Sequence, residues 1–355
     1  MRAAVNRECK AVRTAVGMLD GSTLGKIEVV GPDAGEFLNR VYINDCTLLE
    51  TGRCQYGIML REDGFILDDG IVGRIAAERF HVTTTTGGSA QVLARMEDLL
   101  QTEWTDLDVW LTSTVDQWAV IAVQGPKACA VLAPLVDGID LSSAATPHMS
   151  LRNGMIAGVP MRLFRVSFTG ELGYEVNVPA DYGCAVWEAI HEAGSRYAIV
   201  PYGTESMHVL RAEKGYVMVG QELDGTVTPH DVGLSWVIGK SKPDFIGKRS
   251  LARAAMADLN RKQLVGLLTD DPSVILDEGA QIVATPVHPV PTKSLGYITS
   301  AYFSANLDRS IALAMVAGGR TKIGHRLYVA MPNAAIAVQV VSPVFIDPYR
   351  KRLNG

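Results

Sequence analysis

The chain has 355 residues, of which 48% are hydrophobic, and a formal net charge of −5. A chain of this length usually forms two or three domains with ordinary buried cores. Its 33 basic and 38 acidic residues lack the basic excess of a nucleic-acid-binding domain, and no apolar run approaches the roughly 18 residues of a membrane-spanning helix. We therefore expect a globular protein that has neither nucleic acid nor a membrane as a partner.

The cysteines and histidines indicate neither a disulfide framework nor a metal centre. Five cysteines without a Cys-x-x-Cys pair are typical of a reducing compartment, and the charged first residues do not resemble a signal peptide. These features predict a cytoplasmic location. The seven histidines are dispersed without the spacing of a metal site.

A pattern of strand, Gly-Pro turn and helix occurs twice after a short N-terminal helix. Residues Lys26–Val30 alternate like a strand and lead through Gly-Pro at 31–32 into a helical stretch. The same order recurs 94 positions later (125 minus 31), where Trp118–Val123 precedes Gly-Pro at 125–126. We place each proline at the first helical position, where its missing N–H is harmless.

A β-hairpin is predicted between these two units. The apolar runs Cys54–Arg61 and Phe65–Gly73 flank Asp-Gly at 63–64, which is typical of two-residue hairpin turns. In that register the numbers of paired residues sum to 127, so Asp69 lies opposite Ile58. A strand at 80–85 and an amphipathic helix at 87–100 follow.

The second half of the chain mixes strands and helices before an all-β end. We expect strands at 155–157, 161–168 and 174–178, and helices at 182–193 and 204–212. A polar stretch at 241–248 marks a boundary, and the strand-rich residues 264–341 predict a small β-barrel or sandwich. The fold class is therefore α+β with an all-β C-terminal domain.

The acidic pair Asp68-Asp69 interrupts an apolar strand pattern, although aspartate is a poor strand former. Successive strand side chains point to opposite faces, so at most one of the two faces any one pocket. In the predicted register, Tyr56 is the diagonal neighbour of Asp69 on the same face. A carboxylate beside an aromatic ring indicates a ligand site, but loop capping or ion pairing explains the pattern equally well.

Glu175 is a second candidate, because it follows a tight Thr-Gly-Glu-x-Gly connection and enters an apolar strand. A buried carboxylate without partners is strongly disfavoured. A planar ligand edge with two adjacent N–H donors would satisfy it, as a guanidinium does, and the pterin ring of folate has such an edge. An arginine of the protein, such as Arg211 or Arg165, is the simpler alternative on these residues alone.

The run Thr83–Thr86 ends a predicted strand and precedes a helix. Hydroxyls and free amides at a helix start can bind polar ligand atoms, which makes Thr83 and Thr85 candidates. Strand propensity and helix N-capping are the better explanation for at least two of the four threonines.

Several motifs follow one another along nearly the whole chain: Asn44-Asp45, Tyr56–Met59, Gly64–Asp69, Val123–Ala128, Thr169–Glu175, Arg211–Gly215, Gly220–Glu222, Thr228–Trp236 and Phe245–Lys248. Their order resembles the glycine-cleavage T-protein (aminomethyltransferase) family. The runs Val16–Lys26, Thr83–Gly88 and Leu210–Gly215 look more like the folate-binding C-terminal half of the sarcosine oxidase alpha subunit. That branch is also favoured by Met207 and Phe168, which stand where the T-protein pattern has arginine and tyrosine.

The resemblance implies a three-domain cloverleaf around a central channel that binds tetrahydrofolate. The implied domains are residues 1–25 with 115–242, residues 26–114, and residues 243–355. Asp69 would be the functional carboxylate near N5 and N10 of the folate, Glu175 would bind the pterin edge, and Tyr56 would lie beside the ring. The other implied contacts are Thr83, Thr85, Phe168 and Arg350, with Arg211 and Arg350 as candidates for structural pairing or for the glutamate tail.

The resemblance also implies an enzyme that captures the iminium of oxidised sarcosine, or of a related N-methyl amine, to form 5,10-methylenetetrahydrofolate. Asp69 would orient the folate and help to remove a proton. A flavoprotein amine oxidase is a possible partner that the resemblance implies, and the sequence contains no dinucleotide fingerprint of its own. Two alternatives stay open: a stand-alone folate-dependent demethylase or aminomethyltransferase, and a non-catalytic folate-binding assembly protein.

Overall fold

The computed structural model of the protein describes residues 2–287 and 291–354. None of the described helices is both long enough and apolar enough to cross a membrane. Within these residues the α-helices are α1 (Arg2–Thr14), α2 (Ala34–Val41), α3 (Ser89–Thr102), α4 (Ala128–Leu132), α5 (Gly183–Gly194), α6 (Thr204–Glu213), α7 (Lys248–Leu251) and α8 (Ala254–Ala257).

The strands of the same residues range in length from the two residues of β8 and β12 to the eleven of β4. In chain order they are β1 (Gly17–Asp20), β2 (Gly25–Val30), β3 (Cys54–Leu60), β4 (Ile66–Ala76), β5 (Arg79–Thr84), β6 (Trp110–Ser113), β7 (Trp118–Gln124), β8 (Val136–Asp137), β9 (Ser150–Ile156), β10 (Val159–Arg165), β11 (Gly173–Pro179), β12 (Val200–Pro201), β13 (Lys262–Thr269), β14 (Gln281–Val283), β15 (Gly296–Ser304), β16 (Arg309–Ala317), β17 (Arg326–Ala330) and β18 (Ala335–Val341).

The described strands form three β-structures. A seven-stranded sheet has the order β12-β1-β7-β11-β10-β9-β8, and a five-stranded sheet has the order β3-β4-β5-β2-β6. Strands β13–β18 close into a barrel, so the C-terminal part is a barrel rather than a sandwich. Each structure draws almost all its strands from one predicted domain, and the domain boundaries themselves stay a prediction.

Both Gly-Pro turns are present, but their prolines lie before the helices rather than in them. Gly31 and Gly125 have φ angles of 138° and 131°, and α2 and α4 begin only at Ala34 and Ala128. In each turn the glycine carbonyl accepts a hydrogen bond from the N–H of that alanine, at 3.0 and 2.9 Å. The predicted first-turn position of proline is wrong, because a separate hydrogen-bonded turn precedes each helix.

The β3–β4 hairpin has the predicted register but a different turn. The Arg61 N–H donates to the Phe65 carbonyl at 2.9 Å, so the loop contains residues 62–64, and Gly64 closes it with a φ of 91°. A bulge beside the turn then shifts the pairing by one residue, which brings Ile58 opposite Asp69. The predicted pairing of Asp69 is therefore confirmed, and the predicted two-residue turn is wrong.

The seven-stranded and five-stranded sheets pack against each other along an apolar seam. We define this seam by the cluster of Cys54, Ile71, Leu151, Phe164 and Val166. The sheets are also joined through their backbones, since the Cys54 N–H donates to the carbonyl of Met149 at 3.0 Å. The seam positions the candidate site, because Asp69 lies on β4 with Ile71 and Glu175 lies on β11 as the strand partner of Phe164.

Candidate functional site

Asp69 lies on β4, on the same face of the sheet as the seam residue Ile71. Tyr56 on β3 donates its hydroxyl to Asp69 Oδ2 at 2.5 Å, as expected for diagonal neighbours. Burial raises the pKa of Asp69 to about 7, and the hydrogen bond from Tyr56 opposes this shift. Because part of Asp69 remains accessible, the site offers a carboxyl group that changes protonation near neutral pH.

Asp68 faces the other side of the sheet, where it forms structural hydrogen bonds. It is only 1% exposed, and it accepts hydrogen bonds from the hydroxyl and the N–H of Thr85, at 2.7 and 3.2 Å. The Thr83 hydroxyl accepts a hydrogen bond from the Ile71 N–H at 2.8 Å. Only Asp69 of the acidic pair is thus left for a ligand, and cofactor contacts of Thr83 and Thr85 stay predictions.

Glu175 lies in β11, where its strand neighbours are Ala122 and Phe164. Neither neighbour has a side-chain donor, and no side chain of the described residues forms a hydrogen bond or ion pair with the Glu175 carboxylate. Burial alone raises the pKa of Glu175 to about 7. A half-buried carboxylate without a partner requires a ligand, water or a proton to satisfy it.

The two arginines considered as partners of Glu175 are engaged elsewhere. Arg211 is buried and donates to the carboxylate of Glu222 at 2.5 Å and to the Ser300 hydroxyl at 2.6 Å. Arg165 donates to the carbonyl of Thr146. The ion-pair alternative for Glu175 is therefore wrong, and Arg211 has a structural role.

The seam brings Asp69 and Glu175 to facing surfaces of the two sheets. Ile71 follows Asp69 by two residues on the same face, and Phe164 pairs directly with Glu175. Both apolar residues belong to the cluster between the sheets. Each carboxylate thus borders the same seam, although the two lie 106 positions apart in the chain (175 minus 69).

Phe168 and Arg350 each contact an aromatic ring that was not among the predicted site residues. Phe168 stacks on Tyr216, with ring centres 6.3 Å apart and planes 27° apart. The Arg350 guanidinium lies 5.5 Å from the centre of the Trp236 ring, which is a cation–π arrangement. Burial raises the pKa of Tyr216 and the charge of Arg350 opposes this shift, so the two pairs are neighbours.

The positions of Tyr216 and Trp236 next to or within sequence motifs could have identified them as candidate site residues. Tyr216 directly follows the motif Arg211–Gly215, and Trp236 ends the motif Thr228–Trp236. The partly buried Tyr216 and the exposed Trp236 lie beside a cation, and such an arrangement can hold a planar group and an anion together.

In the part of the chain that the structure describes, neither a metal site nor a reactive cysteine is supported. Its His, Cys, Asp and Glu residues form no group of three or more that could hold a metal ion. Burial raises the pKa of the Cys9 and Cys46 thiols to about 12, which makes them poor nucleophiles. The reactive groups of the site are therefore the two carboxyl groups.

Two family models match the chain. The GCVT N-terminal domain matches residues 1–242, and the glycine cleavage T-protein C-terminal barrel domain matches residues 262–347. The crystal structure of the glycine cleavage system aminomethyltransferase T from Bartonella henselae superimposes with a TM-score of 0.85 at 26% identity, covering 97% of this chain and 90% of that chain. These matches confirm the predicted α+β fold with its C-terminal barrel.

Curated relatives fall into two groups. Sarcosine oxidase subunit alpha of Corynebacterium sp. (strain P-1) is 47% identical over 358 residues, which cover 100% of this chain and 37% of the relative. The aminomethyltransferase of Symbiobacterium thermophilum is 32% identical over 358 residues, which cover 98% of this chain and 91% of the relative. The chain thus spans about a third of the sarcosine oxidase alpha subunits that it matches.

Proposed function

Because this chain belongs to the glycine-cleavage T-protein (aminomethyltransferase) family, we propose that it transfers a one-carbon unit to tetrahydrofolate. The donor would be the iminium of oxidised sarcosine, or of a related N-methyl amine. Its methylene carbon would bond to the folate nitrogens, the bond to the amine nitrogen would break so that the demethylated amine leaves, and the product would be 5,10-methylenetetrahydrofolate. The sarcosine oxidase alpha subunit, at 47% identity, supports this donor over the glycine-cleavage substrate. A flavoprotein amine oxidase would supply the iminium, in the cytoplasm.

The observation that carries this proposal is the Glu175 carboxylate without a protein partner. A pterin ring presents two adjacent N–H donors on one edge, and a carboxylate can accept both at once. Such a contact would favour the charged form of Glu175, which burial now disfavours. The residues of the site therefore fit folate on a feature of this structure, independently of the family.

Asp69 is the proposed catalytic group at the opposite end of the site. Bound tetrahydrofolate would supply the nitrogen nucleophile that accepts the one-carbon unit. Asp69 can hold or release a proton near neutral pH, since burial raises its pKa to about 7. Its negative form would also stabilise the cationic iminium, while Tyr56 holds the carboxyl group in one orientation.

Phe168 and Arg350 are the proposed contacts for the rest of the folate. The stacked pair of Phe168 and Tyr216 offers a planar apolar wall, and the guanidinium of Arg350 can bind the carboxylates of the glutamate tail. Arg350 is exposed, which suits the outer end of a ligand. Thr83 would contribute its hydroxyl between these ends, whereas the Thr85 hydroxyl donates to Asp68 on the other face of the sheet.

The test compares Asp69→Asn with Glu175→Ala, because the two variants should fail in different ways. We expect Asp69→Asn to keep the folate dissociation constant within about threefold and to lower the yield of methylenetetrahydrofolate about 100-fold. Glu175→Ala should weaken folate binding about tenfold or more, since it removes a charge-assisted pair of hydrogen bonds. Calorimetry measures binding, and product formation is followed with a flavoprotein amine oxidase and sarcosine.

Four outcomes would contradict parts of the proposal. Unchanged product yield in Asp69→Asn would remove that residue from catalysis, and unchanged affinity in Glu175→Ala would remove it from the pterin edge. Turnover of a methylated amine with folate alone would favour the stand-alone transferase. Folate binding without turnover, even with the flavoprotein present, would favour an assembly protein.

A further inference from the structure

The outer edge of β3 is covered by a side chain at the point nearest to Asp69. β3 is the first strand of the five-stranded sheet, so one side of its backbone has no strand partner in that sheet. Asn44 Nδ2 donates to the Tyr56 carbonyl at 2.7 Å, and Asn44 Oδ1 accepts from the Ile58 N–H at 3.3 Å. The two backbone partners fix the orientation of the carboxamide, because one is a donor and the other an acceptor.

These two partners are the residues of β3 that contact Asp69. Tyr56 donates its hydroxyl to the Asp69 carboxylate, and Ile58 pairs directly with Asp69 in the sheet. A single buried carboxamide therefore supports the strand segment that holds the proposed catalytic carboxyl group.

Lys242 fixes the segment that carries Asn44. Its buried ammonium group donates to three backbone carbonyls, those of Asn39, of Tyr42 at 2.5 Å and of Asn44 at 2.6 Å. Three acceptors match the three donors of an ammonium group, so no carboxylate is needed. Gly239 makes room for the lysine, because a Cβ at that position would lie 2.8 Å from the Lys242 side chain.

We propose that Asn44 and Lys242 are positioning residues for Asp69, an inference whose activity readout rests on the proposed function. The contacts run from Lys242, in the linker before the barrel, through Asn44 to Tyr56 and the Asp69 carboxylate. A displacement of about 1 Å in a reacting group can lower a rate ~100-fold. Glu175 lies on the other sheet, so the proposed pterin contact stays intact when this support is lost.

Positioning residues for Asp69 should change its pKa when they are replaced, whereas residues with a purely structural role should change only the stability of the protein. The hydrogen bond from Tyr56 lowers the pKa of Asp69, so a looser bond should raise it. The other titratable groups around Asp69 are Asp68, on the opposite face of β4, and Tyr42. Burial raises the pKa of Tyr42 well above its usual value, so this phenol stays neutral while Asp69 titrates.

The first experiment measures the titration of Asp69 without folate, by ¹³C NMR of aspartate-labelled protein, with Asp69→Asn identifying the signal. We expect Asn44→Leu and Lys242→Met to raise the Asp69 midpoint by roughly one pH unit. Lys242→Gln is a milder variant, because the carboxamide nitrogen of glutamine can still donate hydrogen bonds to the backbone carbonyls. The matched control is Lys240→Met, since Lys240 lies in the same linker, is exposed and forms no hydrogen bond or ion pair with the described residues.

The second experiment measures turnover and folate binding of the same variants. We expect kcat to fall about tenfold or more while the folate dissociation constant changes less than about twofold, and Lys240→Met to keep both values. An Asp69 midpoint that stays in place in the Asn44 and Lys242 variants, with only a lower unfolding temperature, overturns the inference. Failure of the proposed function is distinguishable, because the unaltered protein would then not bind folate.

Discussion

Burial in the folded protein disfavours the charged form of Glu175, and this makes the stability of the protein depend on pH. Burial raises its pKa from 4.5 to about 7, so between these values the folded state keeps a proton that the unfolded state releases. The contribution of Glu175 to stability therefore falls as the pH rises through this window, by about 3 kcal/mol in total. A residue with this cost is more readily explained by ligand binding than by folding.

We expect Glu175→Gln to remove this loss of stability. Relative to the unaltered protein without ligand, the variant should gain stability as the pH rises from 4.5 to 7, because glutamine cannot ionise. Thermal unfolding at a series of pH values measures the difference. The control is Glu171→Gln, four residues earlier, which should destabilise the protein because Glu171 pairs with Arg13 and Arg352 at 2.9 Å. A difference for Glu175→Gln that is independent of pH would mean that the carboxylate has a partner.

At the level of the elements, the close approach of the two sheets depends on Gly73. A Cβ at this position would lie 2.8 Å from the ring of Phe164 and 3.3 Å from the side chain of Leu151. The first distance is too short for a real contact, so either Phe164 or the sheet must move. Because Phe164 is the strand partner of Glu175, the movement would reach the proposed pterin contact.

We expect Gly73→Ala to lower the free energy of unfolding by about 1–3 kcal/mol, as overpacking of a core does, and to weaken folate binding. Gly87→Ala is the matched control, since nothing lies within 4 Å of a Cβ at Gly87. Denaturant unfolding and calorimetry measure the two effects. Equal stability of the two variants would show that the seam is less tightly packed than the distances indicate.

On the scale of the whole molecule, a buried ionic network joins distant parts of the chain. Arg13 of α1 donates to Glu171 at 2.9 Å and pairs with Glu213 of α6 at 2.8 Å. Glu213 also accepts hydrogen bonds from Ser304, the last residue of the barrel strand β15, at 2.5 Å, and from Asn306, which follows that strand. The network therefore connects the N-terminal helix, the seven-stranded sheet and the barrel.

We expect Arg13→Met to lower the stability by about 3–5 kcal/mol, because it leaves two carboxylates buried without their main partner. Arg40→Met is the control: Arg40 pairs with Glu36 one helical turn away, on a partly exposed surface, and such a pair contributes about 0.5 kcal/mol or less. Thermal unfolding of both variants measures the effects. A small loss for Arg13→Met would show that the network is replaceable by apolar packing.

Local pattern and family resemblance together predicted much of this molecule. The alternation of β3 and β4 and the short connection between them place Asp69 opposite Ile58 and beside Tyr56, because strand register depends on nearby residues. Even so, the Asp-Gly pair did not indicate that the loop has three residues, nor that a bulge next to it shifts the strand pairing back to the predicted register. Likewise, β9 begins at Ser150 rather than at 155, since the polar residues at its start pair with β10 without an apolar alternation.

The sequence by itself determined the family, the α+β class, the C-terminal barrel and the acidic candidates, since these follow from local periodicity and from short motifs. Only the tertiary structure decided which charges find partners. Arg211 is paired with Glu222 while Glu175 has no partner among the described residues, and Asn44 with Lys242 supports the strand beside Asp69. These contacts join segments up to 198 residues apart, and pairing over such distances depends on how the sheets and the barrel pack together.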